Sequence, residues 1–216
     1  MKRKLLSAFS SICLLGFSAF ASPVRADDPP ASGENATRIT YRQLTWDDFR
    51  VDDRTPGMSA QSHIYTSFGF KSRVEGRNDS YVATVTELTF NGGFDRQRSW
   101  RRSSVGARSE LLLDHEQGHF DLAELKLRQL RRWKPEEMPT GAGRSPEEAY
   151  RDLKKKLQTR YHDEIKDLER TQRRYDEETK HGVRRDIQNQ WRERIDRALK
   201  ELPQVTPTAP AAGRVR

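Results

Sequence analysis

The chain has 216 residues; charged and hydrophobic residues each make up 33% of it, and the formal net charge is +8. This length fits about one domain, and so low a hydrophobic share limits the size of its core. Basic and acidic residues alternate rather than forming a basic cluster, which argues against a nucleic-acid-binding protein.

The N-terminus has the features of a secretory signal peptide, predicted for residues 1–26. A basic start precedes an apolar segment that ends at Phe20, and cleavage is expected after Ala21 or Ala26. The apolar segment is short for a membrane span, which takes roughly 20 residues. Residues 27–37 are rich in polar residues and are expected to form a flexible leader. The sequence therefore predicts an exported protein, periplasmic or secreted, with no membrane anchor after cleavage.

Cys13 is the only cysteine and lies in the predicted signal peptide. The mature protein would have no disulfide, and a metal site in it would have to use histidine, aspartate or glutamate.

The first part of the mature chain has the pattern of an antiparallel sheet. Residues 39–46 are predicted to form a short strand. Apolar side chains recur with a period of two in residues 62–70 and 80–90, which indicates two further strands. The polar residues 75–80 are expected to form the turn of a hairpin between them. Asn91-Gly92-Gly93 is predicted to end the second strand.

The second part of the chain has helical patterns. One helix is predicted over residues 107–132, followed by a loop at residues 134–145. Ser145 and Pro146 are a favourable N-cap and first residue for a long helix that ends near residue 180.

Beyond Gly182, a last amphipathic helix is predicted from apolar residues four apart in sequence, namely Val183, Ile187, Trp191 and Ile195. Residues 203–216 contain too little apolar surface to order themselves and are expected to be a disordered tail. Strands followed by helices predict an α+β domain over residues 38–202.

The most informative motif is His115-Glu116-Gln117-Gly118-His119, inside an apolar, helix-forming segment. Helical residues four apart lie one above the other, so both imidazoles can reach one Zn²⁺. Glu116 points in a different direction from the two histidines. It would take a proton from the metal-bound water, as in metalloproteases with this motif. Gly118 is costly inside a helix and suggests close approach of another backbone or of a substrate. The alternative is a chance match on a charged helix.

A catalytic zinc ion needs a third protein ligand. His63 is expected on a strand as a surface or hairpin residue, and His162 on a solvated helix face. We therefore predict His181, at a helix end, as the third ligand. Tyr175, about two turns earlier, could stabilise the oxyanion that forms during acyl transfer. Acidic ligands remain possible: Glu124, Glu147, Asp176, Glu177 or Glu178.

Several short motifs together resemble a bacterial family of exported, largely uncharacterised zinc-dependent proteases, a domain of unknown function in the His-Glu-x-x-His peptidase clan. They are Trp46-Asp47-Asp48-Phe49, Ser99-Trp100, His115 to Phe120, Tyr175-Asp176, Thr179, His181-Gly182, Gln188 and Trp191. The resemblance covers roughly residues 38–200. It implies a zincin-like fold, with a small antiparallel sheet packed on the motif helix and a long C-terminal helical pair. It also supports His115, His119 and Glu116 as site residues, and His181 by its position in the motif.

Two functions are consistent with these observations. The first is a zinc-dependent peptidase that cuts a peptide or protein substrate, with Glu116 as general base and zinc held by His115, His119 and His181. The second is a non-enzymatic extracytoplasmic module that uses zinc for binding or assembly. A structural zinc site has no use for an acid beside its ligands, so Glu116 distinguishes the two hypotheses.

Overall fold

A computed structural model describes residues 10–14, 38–54, 58–77, 80–105 and 109–204. The two predicted cleavage sites, the flexible leader and nearly all of the C-terminal tail lie outside these residues. Among the described helices, none is both long and apolar enough to cross a membrane.

The chain has a mixed α+β architecture with two sheets and three long helices among the described residues. In chain order the elements are β1 (Ser10–Leu14), β2 (Arg38–Ile39), β3 (Arg50–Val51), β4 (Ala60–Gln61), β5 (Ile64–Arg77), β6 (Ser80–Asp95), β7 (Trp100–Arg101), α1 (Glu110–Leu130), β8 (Gly141–Gly143), α2 (Pro146–Thr179) and α3 (Arg185–Glu201). The α+β class predicted from the sequence is confirmed, and its zincin-like character stays a prediction.

The predicted hairpin is present as the antiparallel pair β5 and β6, which forms the centre of the larger sheet. β1 and β2 pair with it from either side, so the structure places part of the predicted signal peptide beside β5. The prediction that Asn91-Gly92-Gly93 ends the second strand is wrong. A Cβ atom at Gly92 would overlap the Leu127 side chain, and one at Gly93 would overlap the Ile39 carbonyl. The glycines therefore allow close packing inside a continuous strand.

The short strand predicted for residues 39–46 is also largely wrong, because pairing with β6 stops at Ile39. A 3-10 helix follows at Trp46–Asp48. The Asp48 carboxylate accepts hydrogen bonds from the Thr45 backbone N–H at 2.9 Å and from the Arg42 guanidinium. These local bonds offer the backbone an alternative to the sheet.

A second, three-stranded sheet has the order β3, β7, β4. β4 is antiparallel to β7, whereas β3 is parallel to it, so this sheet is mixed. β4 leads directly into β5, and residues 58–63 line the same cleft as residues of the motif helix.

The three predicted helices are present. The Ser145 hydroxyl accepts a hydrogen bond from the Glu148 N–H at 3.2 Å and caps α2 as expected. The predicted loop 134–145 contains β8, which pairs with β6. Val183 is 80% exposed and precedes α3, so it is not part of the last amphipathic helix.

α2 ends in an unusual turn with three successive positive φ angles, 51° at Lys180, 53° at His181 and 84° at Gly182. Left-handed backbone costs a residue other than glycine roughly 1–2 kcal/mol. A Cβ atom at Gly182 would lie 3.1 Å from the Cβ atom of His115. The turn therefore brings this end of α2 against the motif helix.

The core surrounds α1 on several sides. One cluster joins the β5–β6 hairpin to α2 through residues such as Phe68, Phe90 and Tyr161. A second joins α1 to α2 and α3 around Tyr175 and Trp191. α1 is consequently a buried helix whose polar side chains must find partners inside the protein.

Candidate metal centre

His115 and His119 lie one turn apart on α1 and face Asp176 on α2. The Nε2 atoms of the two histidines are 3.2 Å apart. Asp176 Oδ1 lies 3.0 Å from the His115 nitrogen and 2.9 Å from the His119 nitrogen. Of the described residues, these three form the cluster that could hold a metal ion. The packing of α1 against α2 thus adds Asp176 to the two histidines of the motif as a third possible ligand.

The separations of these three atoms fit a zinc ion. Zinc binds nitrogen and oxygen at roughly 2.0–2.1 Å with tetrahedral geometry, which places neighbouring ligand atoms about 3.3 Å apart. The observed distances of 3.2, 3.0 and 2.9 Å are close to this value. Two histidines and a carboxylate are also a ligand set that catalytic zinc sites use.

The far nitrogens of both imidazoles have acceptors that fix the tautomer. His119 Nδ1 donates to Gln172 Oε1, and the Gln172 amide nitrogen donates back to the His119 carbonyl at 2.9 Å. His115 Nδ1 lies 3.4 Å from the Thr179 hydroxyl oxygen, whose own hydrogen is donated to the Tyr175 carbonyl at 2.7 Å. Both Nδ1 atoms therefore carry hydrogen, which leaves the Nε2 lone pairs free for a metal.

The charges of the cluster suit a cation. Burial lowers the pKa of His115, in opposition to the hydrogen bond with Asp176. Burial would also lower the pKa of His119, but the hydrogen bond and the charge of Asp176 outweigh it and raise this pKa above 6.5. Burial works to raise the pKa of Asp176, yet the two histidines hold it well below its usual range. Asp176 is thus ionised, and its negative charge beside the two Nε2 atoms suits a cation.

Glu116 is buried beside the ligands and lines the same cleft. The Ser62 hydroxyl donates a 2.6 Å hydrogen bond to Glu116 Oε2. Among the described residues, no hydrogen-bond donor contacts the other carboxylate oxygen, which is therefore available to accept a proton inside the cleft. The segment that precedes β5 therefore positions the acid of the motif.

The Tyr175 ring stacks on the His115 ring, with centroids 4.7 Å apart. Its hydroxyl is fully buried and has no hydrogen-bond partner among the described residues. A Cβ atom at Gly118 would overlap this hydroxyl, so Tyr175 is the group whose close approach requires the glycine. Tyr175 is absent from the cleft lining. Its role at the oxyanion stays a prediction, and its position favours support of His115 instead.

His181 lies at the edge of the centre. It is 71% exposed, and its Nδ1 atom is 3.3 Å from Asp176 Oδ1. The third member of the cluster is Asp176, which the sequence analysis gave as one of the acidic alternatives. The sequence analysis had favoured His181 for this third position. His181 as a ligand stays a prediction, because the imidazole is near the cluster without belonging to it.

The other histidines lie apart from the three ligand residues. His162 is exposed, as expected. His63 was expected as a surface or hairpin residue, but it is buried directly before β5. It lines the cleft, and its Nδ1 has no partner among the described residues.

The ligand residues and Glu116 lie in a cleft of about 560 Å³. Its walls come from residues 58–66, α1, the second half of α2 and the turn that follows α2. Small-molecule pockets typically measure about 300–1,000 Å³, so this cleft can hold a substrate segment as well as a metal ion.

No protein-family model, curated protein or solved structure matches the chain. The family resemblance therefore rests on the short motifs alone and stays a prediction.

Sequence reasoning missed Ser62 and Gln172, and it included Thr179 only as part of the family motif. Gln172 and Asp176 are four residues apart on α2, as His115 and His119 are on α1. This matching spacing on two helices is the signal that could have identified Gln172 and Asp176 together. Ser62 offered no such signal, because its contact spans 54 residues of sequence.

Proposed function

We propose that the chain is an exported zinc-dependent peptidase. The observation that carries the proposal is the position of Glu116: a buried carboxylate, held by Ser62, shares one cleft with the cluster of His115, His119 and Asp176. Export rests on the signal-peptide pattern of the sequence.

His115, His119 and Asp176 would hold the metal, and Gln172 and Thr179 would hold the two imidazoles in the binding tautomer. Bound zinc supplies Lewis acidity, which polarises a carbonyl group and makes water nucleophilic near neutral pH. Three protein ligands leave the open position that catalytic zinc sites have.

Glu116 would act as general base and then as general acid. Its free oxygen accepts a proton from the water that attacks the peptide carbonyl carbon. It returns that proton to the amine as the C–N bond breaks, so the carboxylate is regenerated. Ser62 is a positioning residue that holds the other carboxylate oxygen.

A non-enzymatic zinc-binding module is the second candidate, and one observation favours it. His181 lies 3.3 Å from Asp176 Oδ1, and as a fourth ligand it would close the site to water. Its high exposure favours the open site, because the imidazole has few contacts that would hold it in a ligand position.

The test is a peptide-library digest with wild type and Glu116→Gln, each assayed for bound zinc. We expect the variant to keep its zinc while hydrolysis falls about 10²–10⁴-fold, because an amide cannot accept the proton. Glu110→Gln is the matched control, since Glu110 is exposed on the same helix. Hydrolysis by the Glu116 variant at the wild-type rate would reject the mechanism, and zinc binding without any hydrolysis would favour the second candidate.

A further inference from the structure

His63 lies in the wall of the cleft directly after Ser62, the residue that holds Glu116. Its backbone N–H donates a 2.9 Å hydrogen bond to the Ser99 hydroxyl oxygen, and its carbonyl accepts a 2.8 Å hydrogen bond from the Asp95 N–H. Ser99 is fully buried and donates its own hydrogen to the Asp95 carbonyl at 2.7 Å. Both polar groups of the His63 backbone are therefore held, and the imidazole projects from a fixed part of the cleft wall.

The two ring nitrogens of His63 have different surroundings. The side chain lines the cleft although the residue is only 9% exposed. Nδ1 is buried and has no hydrogen-bond partner among the described residues. Nε2 has no partner there either, but unlike Nδ1 it is not buried. The open nitrogen of this ring is therefore Nε2, on a side chain that lines the cleft.

The position of the ring hydrogen follows from these surroundings. A neutral imidazole carries one hydrogen, and its surroundings decide which nitrogen has it. A hydrogen on Nδ1 would be a buried donor without an acceptor, which is rarer in proteins than an acceptor without a donor. Burial lowers the pKa of His63, and the charges of Arg98 and Arg50 lower it further against the opposing charge of Asp95. The ring is therefore neutral near pH 7, with its hydrogen on Nε2.

A donor at this place suits a peptidase because a bound peptide brings carbonyl oxygens into the cleft. Each carbonyl that loses its water there needs a hydrogen bond from the protein. Glu116 and Asp176 offer carboxylates, which are acceptors, and the hydroxyl hydrogen of Ser62 is already donated to Glu116. The Nε2–H of His63 is a donor in the same cleft that none of the described residues uses.

We propose that the Nε2–H of His63 donates a hydrogen bond to a backbone carbonyl oxygen of the bound peptide. This role rests on the proposed function and deepens it, because it adds a substrate-binding residue to the cleft wall that also positions Glu116. The contact is made to the peptide main chain, so it recognises peptides without selecting their side chains. Ser99 is then a positioning residue, which acts through the backbone of His63.

The test compares two hydroxamate probes on zinc-loaded protein, because a hydroxamate chelates zinc without being hydrolysed. Acetohydroxamate carries only the chelating group, whereas the hydroxamate of acetyl-dialanine adds peptide carbonyls. Calorimetry gives both dissociation constants. His63→Leu should weaken the peptide probe about three- to tenfold, the size expected for one hydrogen bond, and should leave acetohydroxamate unchanged. His63→Gln keeps an N–H donor and should retain most of the affinity for the peptide probe. His162→Leu, at an exposed histidine, is the matched control.

A second measurement uses wild type alone and does not depend on the folding of any variant. In protein labelled with ¹⁵N at histidine, the ring nitrogen shifts of His63 should show the Nε2–H form. The Nε2–H hydrogen should exchange more slowly with water once the peptide probe is bound, and acetohydroxamate should not cause this change.

The outcomes separate the two proposals. An unchanged ratio of probe affinities in His63→Leu, or the Nδ1–H form in wild type, would overturn the role of His63 and leave the peptidase standing if peptides are still cut. Failure of both probes to bind, together with no peptide cleavage, would reject the proposed function and this role with it.

Discussion

Two polar clusters lie on opposite faces of α1, and they satisfy their polar atoms differently. On one face, Asp121 accepts hydrogen bonds from the Tyr41 hydroxyl at 2.9 Å and the Gln117 amide at 2.6 Å, and it pairs with Arg192. Gln117 also accepts from the Leu44 N–H at 2.7 Å. Here each donor meets an acceptor, as a structural network requires.

On the other face of α1, hydrogen-bond acceptors lie next to other hydrogen-bond acceptors. The free lone pairs of His115 and His119 and the ionised Asp176 converge within 3.2 Å of one another. Without a shared proton this arrangement leaves three acceptors and no donor, which is unfavourable at a partly buried site. The comparison shows how a cluster that could hold a metal ion differs from a structural one.

The largest expected effect on folding belongs to the structural face. Arg192→Leu leaves Asp121 as a buried carboxylate without its cation and should lower the free energy of unfolding by about 3–5 kcal/mol. Urea denaturation measures this change, with Arg197→Leu at an exposed position of the same helix as control. Equal stability of the two variants would contradict the assignment of this face as structural.

A smaller effect, on metal affinity, should follow from Gln172→Leu. This change removes the acceptor of His119 Nδ1, and loss of such a partner typically weakens metal binding by about 10–100-fold. Gln172→Glu keeps an acceptor and should retain most of the affinity. Gln190→Leu makes the same change at an exposed position and should have no effect. Competition against a chelator gives the affinities, and wild-type affinity in Gln172→Leu would remove Gln172 from the centre.

The smallest effect concerns pH. Burial works to lower the pKa of His119, but the hydrogen bond and the charge of Asp176 raise it above its ordinary value, so at low pH zinc would have to displace a proton from this imidazole. Below that pKa, affinity should fall about tenfold per pH unit, because each displaced proton costs about 1.4 kcal/mol per unit. The dependence of zinc affinity on pH should become steeper only at lower pH. Burial lowers the pKa of His115, so His115 takes up a proton that zinc must displace only there. Chelator competition between about pH 5 and pH 7 tests this, and affinity that stays constant would show that no proton is displaced.

The sequence predicted the elements that depend on local patterns. The β5–β6 hairpin and the three helices follow from periodicity and capping, and His115, Glu116 and His119 follow from their spacing on one helix. What it could not predict depends on packing. Asp176 was one acidic candidate among five, and only the approach of α2 to α1 distinguishes it.

Tyr175 and the glycines of β6 illustrate the same limit. The sequence indicated that Gly118 admits a close neighbour, but not that the neighbour is the Tyr175 ring. At Gly92 and Gly93 a small residue is needed because Leu127 and Ile39 pack closely against the strand. The sequence shows the glycines but not these neighbours, and therefore the glycines were interpreted as the end of the strand.

The central claim is that His115, His119 and Asp176 together hold one metal ion, and zinc titration of the purified chain tests it most directly. Wild type should bind one zinc ion per chain, and His119→Ala and Asp176→Ala should each lose it. His162→Ala, which changes an exposed histidine on α2, should bind as wild type does. Stoichiometric, undiminished zinc binding by Asp176→Ala, or no zinc binding by wild type, would contradict the claim.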